Sequence, residues 1–176
     1  MVTHRFGNRQ ESEPWDRWLM PLFMLLGARL QPLVVGLDIG RYGWTGAWVP
    51  QWALLDPYLS SLGFVLYTFG FAVGTWAMGE NRFFEAFVRI QKERDHRVVD
   101  TGPYAYVRHP GYAGSIPALI GVPLFFGSPI AFIPGVLAIA VITLRTAKED
   151  AFLQENLDGY KEYTRKVPHR LVPGVW

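Results

Sequence analysis

Residues 111–144 run 34 positions without one charged side chain. As a single straight helix at 1.5 Å per residue this stretch would reach about 51 Å, longer than an ordinary bilayer is thick. Gly127-Ser128-Pro129, near its middle, is a turn signal. The run therefore reads as a tight helical hairpin of two rather short membrane spans. Two more stretches have the length of single spans, since a hydrocarbon core of about 30 Å takes roughly 20 helical residues. They are residues 18–37, interrupted only by Arg29 and Gln31, and residues 57–78, which carry no charge. The expected fold class is all-α, a polytopic membrane protein with about four transmembrane helices.

The basic residues agree with that number. Arg5, Arg9 and Arg17 precede the first span, and apart from Arg29 only Arg41 lies between the first and second. Arg82, Arg89, Lys92, Arg94, Arg97 and Arg108 follow the second; Arg145, Lys148, Lys161, Arg165, Lys166 and Arg170 follow the hairpin. Four crossings put every basic cluster on one face, which the positive-inside rule makes cytoplasmic, together with both termini. Three crossings would divide them. The lead before the first span carries both charge signs and does not read as a cleavable signal peptide. Trp44, Trp48 and Trp52, with Tyr42 and Tyr58, read as an aromatic belt at the opposite interface.

Composition narrows the classes further. Charged residues make up 18% against about 25% in average soluble domains, and half the chain is apolar, which excludes disorder. The absence of cysteine excludes a disulfide scaffold, thiol catalysis and thiolate metal sites, and no metal centre is expected. A net charge of +2 gives no reason to invoke nucleic acid. With 176 residues, one domain spanning 1–176 is expected, and its polar, motif-bearing part is residues 79–176.

Two polar segments then hold the chemistry, and the topology puts them on one face. In the first, Phe83, Phe87 and Ile90 recur at helical spacing among charges, which predicts a helix lying in the interface. A turn at Thr101-Gly102-Pro103 leads into Tyr104-Ala105-Tyr106-Val107-Arg108-His109-Pro110-Gly111-Tyr112-Ala113-Gly114. Proline is favoured in a first helical turn, so His109 is expected at the N-cap of the third span with Arg108 just outside. Free amides and the positive end of the helix dipole would face whatever binds there and favour an anionic group such as a carboxylate. Tyr104, Tyr106 and Tyr112 offer aromatic faces to an adenine or a sulfonium cation. In the second segment Arg145 and Glu149 share a helix face, followed by Asp150. Leu153, Leu157, Tyr160 and Val167 then predict an amphipathic C-terminal cytoplasmic helix, with Gly159-Tyr160 as an interruption and a non-helical tail after Pro168.

The block 101–114, with Arg-His-Pro-Gly-Tyr-Ala-Gly, and the downstream Arg145-x-x-x-Glu149-Asp150, Tyr160-x-x-Tyr163 and Val167-Pro168 together resemble the isoprenylcysteine carboxyl methyltransferase family. That family belongs with the integral-membrane phospholipid methyltransferases. The similarity covers the chain from Asn81 onward; the first span is generic and adds nothing to it. The resemblance implies methyl transfer from S-adenosylmethionine to a lipophilic acceptor that enters from the bilayer. By the same resemblance His109, Pro110, Tyr112 and Gly114 line the cofactor pocket, with Tyr106, Val107 and Arg108 adjacent and Glu149 and Asp150 bordering it. Arg145 and Glu149 form the substrate-side catalytic pair, and which of the two neighbouring acids matters more stays open. A carboxylate acceptor would be oriented by Arg145 with Glu149 fixing it, whereas an amine would pass its proton to Glu149. An NADPH-dependent membrane reductase of the sterol type and a non-catalytic membrane adaptor remain rival readings. A soluble Rossmann-type methyltransferase is excluded because no strand, glycine loop and helix unit occurs.

Overall fold

The computed structural model of the chain describes residues 12–50 and 56–176. Among them all regular structure is helical, as an apolar chain in lipid requires if its backbone is to satisfy itself. We number the helices α1 (Asp16–Tyr42), α2 (Pro57–Glu80), α3 (Pro110–Phe126), α4 (Phe132–Asn156) and α5 (Tyr160–Lys166). Helix α1, helix α2 and helix α4 with the short turn before it are long and apolar enough to cross a membrane. Helix α3 is apolar but has 17 residues, about 26 Å of length. The chain is thus an all-α membrane protein.

The uncharged run does break where its turn signal lies. Helix α3 stops at Phe126, Gly127 takes a left-handed φ of 64°, and the Ser128 amide reaches back to the Pro123 carbonyl at 2.9 Å. Its two arms are unequal, however. Only α3 is short; α4 continues for 25 residues, past the last apolar position and through the acidic pair.

The described chain forms two compact units. The apolar unit comprises residues 22–72 and 114–141. In it α2 and α3 pack backbone against backbone. A Cβ at Gly70 would fall on the Gly114 carbonyl, and one at Gly121 would come within 2.5 Å of the Gly63 carbonyl. Gly63 and Gly70, like Gly114 and Gly121, stand seven residues apart, so each pair presents one helix face, the small-residue packing expected between membrane helices. Two buried polar side chains on α1 complete the unit. Gln31 donates its amide to the carbonyls of Leu119 (2.7 Å) and Ala131 (3.3 Å). Asp38 accepts from Thr45 through backbone and hydroxyl and from the Ser128 hydroxyl at 2.5 Å. Of the aromatic belt, Tyr42, Trp44, Trp48 and Tyr58 are exposed and Tyr42 stacks on Trp44. Trp52 lies outside the described residues, as do Arg5 and Arg9.

The polar unit comprises Met1–Pro21, of which 12–21 are described, with Val73–Ala113 and Ile142–Trp176. Here the expected interfacial helix around Phe83, Phe87 and Ile90 is absent. Residues 81–91 form an irregular strap, followed by a single 3₁₀ turn at Lys92–Arg94. The reason lies in who satisfies the backbone. The Phe83 amide donates to the Asn81 side chain (2.8 Å) and the Phe83 carbonyl accepts from Gln91 (2.7 Å). The Ala86 carbonyl accepts from Arg145 (2.7 Å), and the Val88 amide donates to Asp16 (2.7 Å). Buried side chains replace the helical i→i−4 partners, and the apolar residues reach the interior without helical periodicity. The C-terminal expectation holds. Gly159, with a φ of 80°, separates α4 from α5; Leu157, Tyr160, Tyr163 and Val167 form a buried cluster, and the tail from Pro168 is non-helical.

Gly70→Ala is expected to destabilise the protein by about 1–3 kcal/mol, because the new methyl meets backbone that has no room to yield. A Cβ at Gly74 meets nothing within 4 Å, so Gly74→Ala should be tolerated. Thermal unfolding of the two variants in detergent checks the contrast.

Candidate active site

Proline starts α3, and this fixes the turn before it. Pro110 is the first helical residue and His109 stands at the N-cap position, its carbonyl accepting from the Tyr112 and Ala113 amides at 3.1 and 3.0 Å. The amides of Arg108 and His109 are not free. They donate to the carbonyls of His169 and Arg170 at 3.0 Å each, so the tail lies along the turn and takes both.

The two neighbouring acids part company in the structure. Asp150 has no exposed surface and is the centre of a donor cluster. Arg108 meets it with two nitrogens (2.7 and 3.0 Å), Arg170 with one (2.9 Å), Tyr160 with its hydroxyl (3.1 Å) and Gln154 with its amide (3.0 Å), while His109 Nε2 stands 3.4 Å away. The remaining terminal nitrogen of Arg108 donates to the Val167 carbonyl at 2.7 Å. Burial works against the Arg108 charge, but Asp150 outweighs it and holds the guanidinium above its ordinary pKa. Burial first, and the Asp150 charge second, push the Tyr160 hydroxyl well above the usual tyrosine range.

Glu149 faces a different way. It accepts the Tyr112 hydroxyl proton at 2.7 Å and stands 3.7 Å from Arg145. Arg145, 1% exposed, donates to both carboxylate oxygens of Asp16 (2.6 and 3.0 Å), to the Ala86 carbonyl and to the Tyr112 hydroxyl. Its guanidinium also lies 5.0 Å from the centre of the Tyr112 ring. A chain of polar contacts thus runs Asp16, Arg145, Tyr112, Glu149, and its last two members reach open space.

That space is a hollow of about 600 Å³, its open mouth included. Phe83, Phe84, Phe87, Tyr104, His109 and Tyr112 give it aromatic walls; Glu149, Asn81, Arg89 and His96 are among its polar lining. His109 and Tyr112 present nearly parallel rings 5.7 Å apart. A Cβ at Gly111 would come within 3.0 Å of the Phe84 ring, so glycine is what lets that ring close the wall. A second hollow of about 310 Å³ shares Asn81, His96, Tyr104 and Arg108 with the first and is bounded elsewhere by Val98, Leu157, Tyr160 and Tyr163. Burial, helped by the charges of Arg89 and Arg94, lowers the His96 imidazole to about 4. Burial raises the Tyr104 hydroxyl to about 12.

Of the residues singled out from sequence, Arg108, His109, Tyr112 and Glu149 line the first hollow. Arg145 and Asp150 stand behind it. Val107 and Pro110 are buried in the turn, and Tyr106 is 67% exposed outside it. Gly114 belongs to the apolar unit, its carbonyl against Gly70. Sequence reasoning missed Asp16, His96 and Asn81. None left a distinguishing signal, since an acid directly before an apolar run, as Asp16 is, is an ordinary helix start.

The family model for the isoprenylcysteine carboxyl methyltransferases matches residues 62–155, more than half of the chain. The chain belongs to this family. Among curated relatives, the protein-S-isoprenylcysteine O-methyltransferase of Schizosaccharomyces pombe is 32% identical over 87 residues, 48% of this chain and 37% of that protein. The enzyme of that name from Saccharomyces cerevisiae is 30% identical over 120 residues, 66% of this chain and 50% of its own length. The probable one from Oryza sativa subsp. indica is 27% identical over 113 residues, 62% of this chain and 59% of its own. The chain thus spans between about a third and three fifths of these relatives. The family match takes in the strap, the Arg-His-Pro turn and both acids, and leaves out Asp16 and the tail.

The two acids are expected to differ on replacement. Asp150→Asn leaves buried Arg108 and half-buried Arg170 without their counter-charge and should cost about 3–5 kcal/mol, whereas Glu149→Gln keeps an acceptor for Tyr112 and loses only its charge near Arg145, worth about 1 kcal/mol. Chemical unfolding of both variants in detergent reads the difference. His96 predicts a pH effect. Between its ordinary value of 6.5 and about 4 the unfolded chain takes up a proton that the folded protein refuses, so stability falls as pH drops through that window and is unaffected above it. His96→Gln should flatten the acid limb of a melting-temperature profile; an unchanged slope would show that His96 is not its source.

Proposed function

We propose that this chain transfers a methyl group from S-adenosylmethionine to a lipophilic acceptor at the membrane interface, with an isoprenylcysteine-type carboxylate as the first candidate. The observation that carries the reading is the aromatic-walled hollow into which Glu149 and Tyr112 project from a buried ionic support. Family membership and the names of the relatives supply the reaction class. The distribution of basic residues supports four crossings with both termini on the cytoplasmic side.

The residues present fit such a donor. Aromatic faces suit both a purine and a sulfonium cation, and Glu149 is a carboxylate at the hollow's edge for a cationic or hydroxylated group. Bound there, S-adenosylmethionine supplies an already activated methyl group. What remains for the protein is to align and to exclude water. Phe83, Phe84 and Phe87 wall off solvent, Tyr112 and Glu149 fix the polar edge, and Arg145 holds Tyr112 from behind. A carboxylate acceptor gives up no proton on methylation, so the residues then act by positioning alone. An amine acceptor must lose a proton, and Glu149 is the acid in the hollow placed to take it.

Titration of the detergent-solubilised protein with S-adenosylmethionine, S-adenosylhomocysteine and NADPH, followed by transfer of radiolabelled methyl to a prenylated cysteine and to lipid extract, tests the proposal. Binding of the first two and label in the acceptor are expected, and Glu149→Gln should lower turnover at least about 100-fold if the acceptor is an amine. Binding of NADPH alone would favour a reductase. No binding of any of the three would favour an adaptor.

A further inference from the structure

We infer that Asp16 is a positioning residue for this reaction, acting through Arg145 on the Tyr112 hydroxyl, the Glu149 carboxylate and the wall of the hollow. The inference rests on the methyl-transfer reading above. Asp16 opens α1, outside the 62–155 segment that matches the family, yet it is 0% exposed. Both of its oxygens are engaged, one by Arg145 Nε and the other by Arg145 Nη2 and the Val88 amide. Stability alone gives poor reason for such a pair, since apolar residues of the same volume commonly serve a buried position as well or better.

Geometry supplies a better reason. Phe87 lines the hollow, and the residues on either side of it are held by this one ion pair: the Ala86 carbonyl by Arg145, the Val88 amide by Asp16. The Val88 carbonyl in turn accepts the Glu13 amide at 3.1 Å, so Glu13 and Asp16 together grip the strap at both Val88 backbone groups. On its other side Arg145 donates to Tyr112, and Tyr112 to Glu149. Asp16 therefore sets the angle of the guanidinium that orients the hydroxyl and the acid, and it anchors the backbone beside Phe87 in the aromatic wall. Removing its charge frees Arg145 to swing onto Glu149, now 3.7 Å away, and to take that carboxylate from the hollow.

Asp16→Asn keeps the shape and removes the charge. In the full chain in detergent, with wild type shown first to bind S-adenosylmethionine and transfer methyl, it should lower kcat at least about ten-fold and also raise the donor Kd, because Glu149 and the wall around Phe87 both lose their support. Asp16→Glu, which restores the charge, should recover part of the loss. The decisive reading is the cycle with Tyr112→Phe. Asp16 and Tyr112 are joined through Arg145, so the double variant should be no slower than the slower single one. A purely structural role would instead lower the melting temperature and give multiplying losses. Wild-type kcat in folded Asp16→Asn, multiplying losses in the cycle, or failure of both Asp16 variants to fold would each overturn the inference. Absence of methyl transfer by wild type would overturn the functional reading instead.

Discussion

A carboxylate with no exposed surface must be surrounded by donors, and besides Gln154 on its own helix Asp150 draws them from three separate parts of the sequence. Arg108 and His109 come from the turn before α3, Tyr160 from the start of α5 and Arg170 from the tail. Arg108 then holds the Val167 carbonyl, and the amides of Arg108 and His109 hold the tail carbonyls. The polar unit is tied at this point. Tyr160 and Tyr163 pack in the cluster beside it, and the Tyr163 hydroxyl donates to the Tyr104 carbonyl at 2.6 Å, which fixes the far end of the same turn. With Asp150 so engaged, the residue before it on α4 is left to face the hollow.

A second ionic centre, Asp16 with Arg145, does for the strap what Asp150 does for the tail. The Asp16–Arg145 pair holds the strap at Ala86 and Val88, beside the Asn81 and Gln91 contacts to Phe83, and Asp150 gathers the side chains around the Arg-His-Pro turn. This explains how a region with little regular structure can hold aromatic rings in fixed places. Phe83 has its carbonyl captured by Gln91, and Phe87 is flanked by backbone that Arg145 and Asp16 hold.

Much of this was legible in the residues. The uncharged run and its Gly-Ser-Pro interruption gave the hairpin, because chain length against bilayer thickness leaves few choices. Proline after His109 gave the start of α3, and Gly159 the break before α5. The meeting of turn and acidic pair followed from placing both polar segments on one face. Other features were not legible, and for a common reason. The strap reads as an amphipathic helix because Phe83, Phe87 and Ile90 have the spacing, and periodicity carries no information about a side chain such as Gln91 or Arg145 that outcompetes the helical partner. The choice between Glu149 and Asp150 likewise depends on partners at residues 108, 112, 160 and 170, none of them local. Asp16 drew no reading from the sequence, and its burial is visible only once Arg145 is seen to engage it.

Gln31 and Asp38 bear on how the chain comes to be made. Their partners at Leu119, Ser128 and Ala131 lie 88, 90 and 100 residues downstream. At a synthesis rate of roughly 5–20 residues per second, those partners emerge several seconds after α1 itself. During that interval the Gln31 amide has neither of its acceptors, and Asp38 has Thr45 but not yet Ser128. The nascent first helix therefore depends on water, lipid headgroups or the insertion machinery for its polar groups until the hairpin arrives. Biogenesis, more than the finished state, is where these two side chains are exposed to error.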